Sequence, residues 1–203
     1  MQESIHVKEP QIKTEVAVLK IIKDSNPDEQ GFTHIYEYGY EPTYNYLIMT
    51  LLGPNLEQLQ RLCGGVLSLK TTMIIALQAL DRLEVVHNHG FVYGDVKPDN
   101  FLVGLSNDSP FIFLVDFGKS KRYKSRSTGQ HISYKENVHY TFNPTFASLN
   151  AHNNIQASRR DDVESLLYML IYLRLGKLPW AKNAEVPLPP PRNAKKWTSL
   201  LSN

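Results

Sequence analysis

Asp95-Val96-Lys97-Pro98-Asp99-Asn100 spaces a carboxylate, an ammonium and an amide as Asp-x-Lys-x-x-Asn. A phosphoryl-transfer site needs those three groups in that order. A phosphoryl group in flight spreads negative charge over its equatorial oxygens, so its transfer is catalysed mostly by positioning and electrostatics. Asp95 would accept or orient the attacking hydroxyl, and Lys97 would neutralise the phosphoryl oxygens. Further along stands Asp116-Phe117-Gly118. Asn100 and Asp116 together would hold Mg2+ against ATP, since both offer hard oxygen ligands. Asp-Phe-Gly alone is a weak signal that arises by chance. The two motifs together, each beside a short apolar strand, make a strong one. The plainer alternative is a loop with a solvated acid and a turn glycine.

The elements that must carry these residues can be read from periodicity. Ile12, Glu15, Val16, Leu19 and Ile22 have helical spacing, which predicts a helix over about 10–24, ended by Asn26-Pro27-Asp28. Residues 34–39 and 44–51 read as two strands, and Gly53-Pro54 breaks the second. Ser68 is a good N-cap for a helix from Leu69 to about Asn88, with Met73, Leu77, Leu80 and Val86-His87 on or near one face. Phe101-Leu102-Val103 and 111–115 are short apolar strands around the turn-rich Ser106–Pro110. Residues 119–146 lack periodicity and read as a long loop, which is uncommon unless functional. Residues 161–175 are helical and apolar on most sides.

Bulk properties narrow the class. With 203 residues and 42% hydrophobic content, the chain can build a core, which argues against disorder throughout. A net charge of +2 is too mild to indicate nucleic acid. The one cysteine, Cys63, excludes an internal disulfide and fits a reducing compartment. Residues 1–13 are mixed and charged, unlike a signal peptide. The longest apolar stretch, around Ser165–Leu173, is about half the roughly 20 residues a membrane span requires. The expectation is a soluble intracellular protein, cytoplasmic or nuclear.

Several segments resemble the casein kinase I family of Ser/Thr protein kinases. They include Leu51-Leu52-Gly53-Pro54-Asn55-Leu56-Glu57, Lys97-Pro98-Asp99-Asn100-Phe101-Leu102-Val103-Gly104 and Val115-Asp116-Phe117-Gly118-Lys119-Ser120-Lys121. His131-Ile132-Ser133-Tyr134-Lys135-Glu136-Asn137, Phe146–His152, Ser158–Leu166 and Leu175–Trp180 extend the likeness over about residues 8–180. The resemblance implies phosphorylation of protein substrates with Mg·ATP. It implies an α+β, protein-kinase-like fold: an incomplete small lobe of helix C and two strands, and a mainly helical large lobe truncated after helix F. The implied divisions are 1–52, the remnant of the small lobe and hinge; 53–180, the large lobe with catalytic and activation loops; and 181–203, a divergent tail. Pro10 to Glu15 resembles the start of helix C, so Glu15 takes the place of the glutamate that pairs with the ATP-binding lysine. Met49 takes the gatekeeper position behind the adenine. Thr50–Leu52 becomes the hinge whose backbone bonds the base, so Met49, Thr50 and Leu52 join Asn100, Asp116 and Glu15 as nucleotide-site candidates. Asp162 resembles the helix F aspartate that anchors the catalytic loop, with Leu19, Tyr93 and Phe117 stacked toward it.

The chain also departs from that family. Counting back from Pro10, the phosphate-binding lysine would fall at Met1, no Gly-x-Gly-x-x-Gly occurs, and Lys8 stands too close to the helix to replace the lysine. Glu15 is therefore expected without a partner, the two small-lobe strands with an open edge, and the 203-residue chain, read as a fragment, weak or inactive, the alternative being a kinase-like binding module with impaired catalysis. Tyr93-Gly94-Asp95 replaces His-Arg-Asp, as in the related vaccinia-related kinases, which removes the cation that would receive an activation-loop phosphate. Phe142-Asn143-Pro144-Thr145 replaces Gly-Thr-x-Arg; Asn143 is expected to imitate the threonine that bonds the catalytic aspartate and lysine. Lys135 is expected to keep part of an anion site. Lys119, Lys121, Arg122, Lys124 and Arg126 are expected to form a solvated basic surface rather than to compensate, and nucleic acid is an unlikely ligand. Pro187–Pro191 belongs to what is expected to be a divergent disordered tail, with a polyproline contact for an SH3 or WW domain as the lesser alternative.

Overall fold

The structure is a computed structural model that describes residues 1–4, 11–105, 111–139 and 142–181. Helix α1, Gln11–Ser25, buries Ile12, Glu15, Val16, Val18, Leu19 and Ile22. These positions follow the helical repeat and form one continuous face. Strands β2, Ile35–Tyr40, and β3, Tyr44–Met49, pair antiparallel across a tight connection. The sequence reading expected the pair of strands to keep an open edge. Instead a short strand β1, Gln2–Ser4, pairs along it with Glu3 opposite Asn45, giving the order β1-β3-β2. Three residues are too few for a period-two pattern to be read, which is why this strand escaped notice. Lys8, Pro10, Ser106–Pro110 and the polyproline stretch lie outside the described residues.

The rest is mainly helical. A helix that sequence reading missed, α2 at Leu56–Leu62, starts at a capping box. The Gln58 N–H donates to Asn55 Oδ1 at 2.8 Å, and the Asn55 N–H donates to Gln58 Oε1 at 3.1 Å. Helix α3, Leu69–Asn88, is capped by Ser68 as expected. Its buried face overlaps the expected one only at Val86 and His87. Met73, Leu77 and Leu80 are exposed, whereas Ile75, Ala76, Ala79, Arg82, Leu83, Val86 and His87 are buried. The apolar residues fit two overlapping faces, and packing against α5, Arg159–Leu175, selected the one rich in alanine. Another short helix, α4 at Leu149–His152, was also unread.

Short strands hold the loops that matter. Strand β4, Phe91–Val92, pairs with β7, Lys121–Arg122, inside what was read as an unbroken loop. A 3-10 turn at Pro98–Asn100 leads into β5, Phe101–Val103, which pairs with β6, Ile112–Leu114. One large core joins these pieces through Leu19, Phe32, Leu59, Leu83, Tyr93, Phe117, Met169 and others, while Ile12, Val16 and Leu47 form a small cluster under the sheet. No described helix is long and apolar enough to cross a membrane.

Candidate active site

The β5–β6 register decides where the candidate metal ligands fall. Phe101 pairs with Leu114, and the Val115 N–H donates to the Asn100 carbonyl at 3.1 Å. Asn100 therefore ends one arm of the hairpin beside Asp116 on the other. Asp116 has φ of 60°, in the left-handed region that an aspartate tolerates better than most side chains. Gly118 follows it against α1: a Cβ there would lie 2.5 Å from Gln11 Cβ, so no larger residue fits without displacing the helix.

The catalytic-loop residues converge on Asp95, whose side chain is fully buried. Lys97 Nζ donates to Oδ2 at 2.8 Å, and Asn100 Nδ2 donates to the Asp95 carbonyl at 3.0 Å and to Oδ2 at 3.2 Å. Lys119 Nζ donates to Oδ1 at 2.9 Å. Burial pushes the Asp95 carboxyl upward, but hydrogen bonds and charge from Lys97 and Lys119 outweigh it and hold the group below its ordinary value. Asn100 Oδ1 and the Asp116 carboxylate remain as oxygen donors. Two such donors suit Mg2+ when phosphate and water oxygens complete an octahedron.

The loop itself hangs from Asp162 in α5. The Tyr93 and Gly94 N–H groups donate to its two carboxylate oxygens at 2.7 and 2.8 Å, and His87 Nε2 lies 2.8 Å from Oδ2. The sequence reading named Asp162 but not His87, which stands far away in the chain and carried no local signal. Tyr93 and Phe117 are buried with ring centroids 5.5 Å apart, edge to face. Phe32, also unread, extends this stack at 6.0 Å from Phe117.

Glu15 reaches this site from α1. The Asp116 N–H donates to Glu15 Oε1 at 2.9 Å. Oε2 is buried without a partner among the described residues. Burial, then the neighbouring Asp116 charge, raises its pKa to about 7, with the Asp116 and Phe117 amides and the terminal amine opposing.

Met49, Thr50 and Leu52 are not drawn into this cluster by any described hydrogen bond. Met49 packs beside Ile12, Val16 and Leu47, on the helix that carries Glu15. The Thr50 N–H donates to the His34 carbonyl at 3.0 Å, and Gly53 N–H to Val103 at 2.8 Å. The Thr50 N–H is therefore engaged within the small lobe, while the hinge role expected of residues 50–52 concerned their backbone as a whole.

A cavity of about 700 Å³ opens on the other side of Asp95, lined by Lys119, Lys135, Val138, Phe142 and Phe146 among others. Its volume is in the usual range for ligand clefts. Asn143 also lines it, but does not take the role expected of it. Its Oδ1 accepts the Thr145 N–H at 2.9 Å, closing a local turn, while Asp95 is occupied by two lysines and Asn100. Lys119 likewise departs from the solvated surface expected for the basic run. Arg122 lies over the Phe91 ring at 4.4 Å and Lys124 over the Tyr123 ring at 5.4 Å, so they too are held by local packing.

A carboxylate held by lysine, next to paired amide and acid oxygen donors, on a loop hung from a buried helix aspartate, is the set of groups that phosphoryl transfer calls for, carried on a mixed α/β architecture. A family model, protein kinase domain, matches residues 2–188. The chain belongs to that family.

Proposed function

We propose that this chain is a Ser/Thr protein kinase of casein kinase I type, transferring the γ-phosphate of ATP to protein hydroxyls. The observation that carries the reading is the junction of Asp95, Lys97 and Asn100 in one hydrogen-bonded group, with Asp116 beside Asn100 across the β5–β6 hairpin. The casein kinase I type rests on the motif resemblance. When bound, Mg·ATP supplies the transferable phosphoryl group. Asp95 receives the hydrogen bond of the acceptor hydroxyl and orients its oxygen. Lys97 places a positive charge where the equatorial oxygens gather theirs. Asn100 and Asp116 would hold the metal through their side-chain oxygens. Met49 and the backbone at Leu52 would face the adenine, and Glu15 braces the Asp116 backbone. Phosphosite mapping by mass spectrometry on a mixed Ser, Thr and Tyr peptide pool tests this. The expected result is phosphate on Ser and Thr only, absent with Asp95→Asn. Phosphate on tyrosine, or equal transfer by the variant, contradicts it.

Glu15 Oε2, buried with no partner among the described residues, supports a second reading, a kinase-like binding module with impaired transfer. Mg·ATP binding without phosphate on any peptide favours this second reading.

A further inference from the structure

We propose that Lys119 is a positioning residue for phosphoryl transfer, fixing the Asp95 carboxylate through the oxygen that Lys97 leaves free. The inference rests on the phosphotransfer reading of Asp95 and adds a residue to it. Asp95 is the most deeply buried charge of the loop, with no side-chain exposure, and a carboxylate that stays ionised when buried is costly unless both oxygens are partnered. Lys97 and Asn100 serve Oδ2. Oδ1 has only Lys119 among the described residues, at 2.9 Å. One lysine on each oxygen stops rotation of the carboxylate. It also leaves one net positive charge beside it, a setting suited to anionic phosphoryl oxygens.

The backbone is built to deliver this lysine. Ser120, next to it, is buried, with its N–H donating to the Phe117 carbonyl at 3.0 Å and its Oγ to the Tyr93 carbonyl at 3.2 Å. Lys121 then pairs with Val92 in the β4–β7 ladder. Residues 119–121 are thus laid directly along 92–95. Gly94 permits the approach: it has φ of 80°, and a Cβ there would lie 3.2 Å from the Lys119 carbonyl oxygen. The Lys119 side chain is 21% exposed, so its ammonium is drawn inward to the carboxylate at the wall of the 700 Å³ cavity.

The test compares the full chain with Lys119→Met and Lys119→Arg, first confirming by circular dichroism that each melts cooperatively. Peptide phosphorylation kinetics should show kcat lower by about 10- to 100-fold in Lys119→Met, with KM for Mg·ATP changed by less than about twofold, and with substantial recovery in Lys119→Arg. An unchanged kcat in Lys119→Met, or a loss confined to KM, overturns the proposal. A second readout needs no turnover. The 15N ammonium signal of Lys119, assigned by its disappearance in Lys119→Arg, should shift in Asp95→Asn. A signal indifferent to Asp95→Asn overturns the proposal even if the chain is active. A shifted signal in a chain that transfers no phosphate supports the Lys119–Asp95 clamp while refuting the kinase reading.

Discussion

Glu15 and Asp162 are both helix carboxylates buried beneath the same site, and they are treated oppositely. Asp162 takes hydrogen bonds from Tyr93 and Gly94 and meets His87, all between 2.7 and 2.8 Å. Among the described residues, Glu15 has one amide on Oε1 and nothing on Oε2. The first carboxylate fixes the catalytic loop to the helical core. The second touches the Asp-Phe-Gly backbone but keeps a buried oxygen without a donor, and burial raises its pKa to about 7. Burial alone therefore does not make an anchor; the count of donors around the carboxylate does.

The comparison is broken most forcefully at Asp162. Asp162→Ala leaves two loop amides without their acceptor and should cost about 3–5 kcal/mol of unfolding free energy in urea titration. A cost below about 1 kcal/mol would mean the loop does not hang from this residue. At Glu15 the prediction depends on pH. Its folded-state pKa of about 7 stands above the ordinary 4.5. The folded state thus holds its proton more tightly. The associated stability is complete below pH 4.5 and is lost as pH rises through 7, about 3 kcal/mol in all. Glu15→Gln keeps an acceptor for the Asp116 amide and removes that loss. It should be more stable than the parent at pH 8 by up to about 3 kcal/mol and no more stable at pH 4.5, by thermal melts at each pH. A parent chain of constant stability between those values would mean that Glu15 has a charged partner, and the contrast would vanish. The smallest effect sharpens the catalytic-loop side. Gly94→Ala imposes a Cβ at φ of 80° against the Lys119 carbonyl and should cost about 1–2 kcal/mol.

What could be read from sequence follows the range of the interactions. Asp95, Lys97 and Asn100 lie within six positions, so their convergence was visible as spacing. The helices α1, α3 and α5 were visible because each repeats its apolar residues over several turns. Strand β1 and helices α2 and α4 are too short to show a repeat, although Asn55 and Gln58 did hold the signal of a capping box. The partners that finish the site are distant in the chain. Lys119 meets Asp95, His87 meets Asp162, and Glu15 meets the Asp116 amide only after folding. Asn143 was expected near Asp95 by analogy of position, but its short side chain found a nearer donor in the Thr145 N–H.

The central claim is that Asp95 and its ring of donors form a working phosphoryl-transfer site. Its most direct test is turnover of labelled phosphate measured across a wide range of Mg·ATP concentration, for the parent chain and Asp95→Asn. The account predicts saturable transfer by the parent chain, with a rate constant about 10²- to 10⁴-fold lower in Asp95→Asn. Equal rates for the two chains, or no transfer by the parent at saturating Mg·ATP, would contradict it.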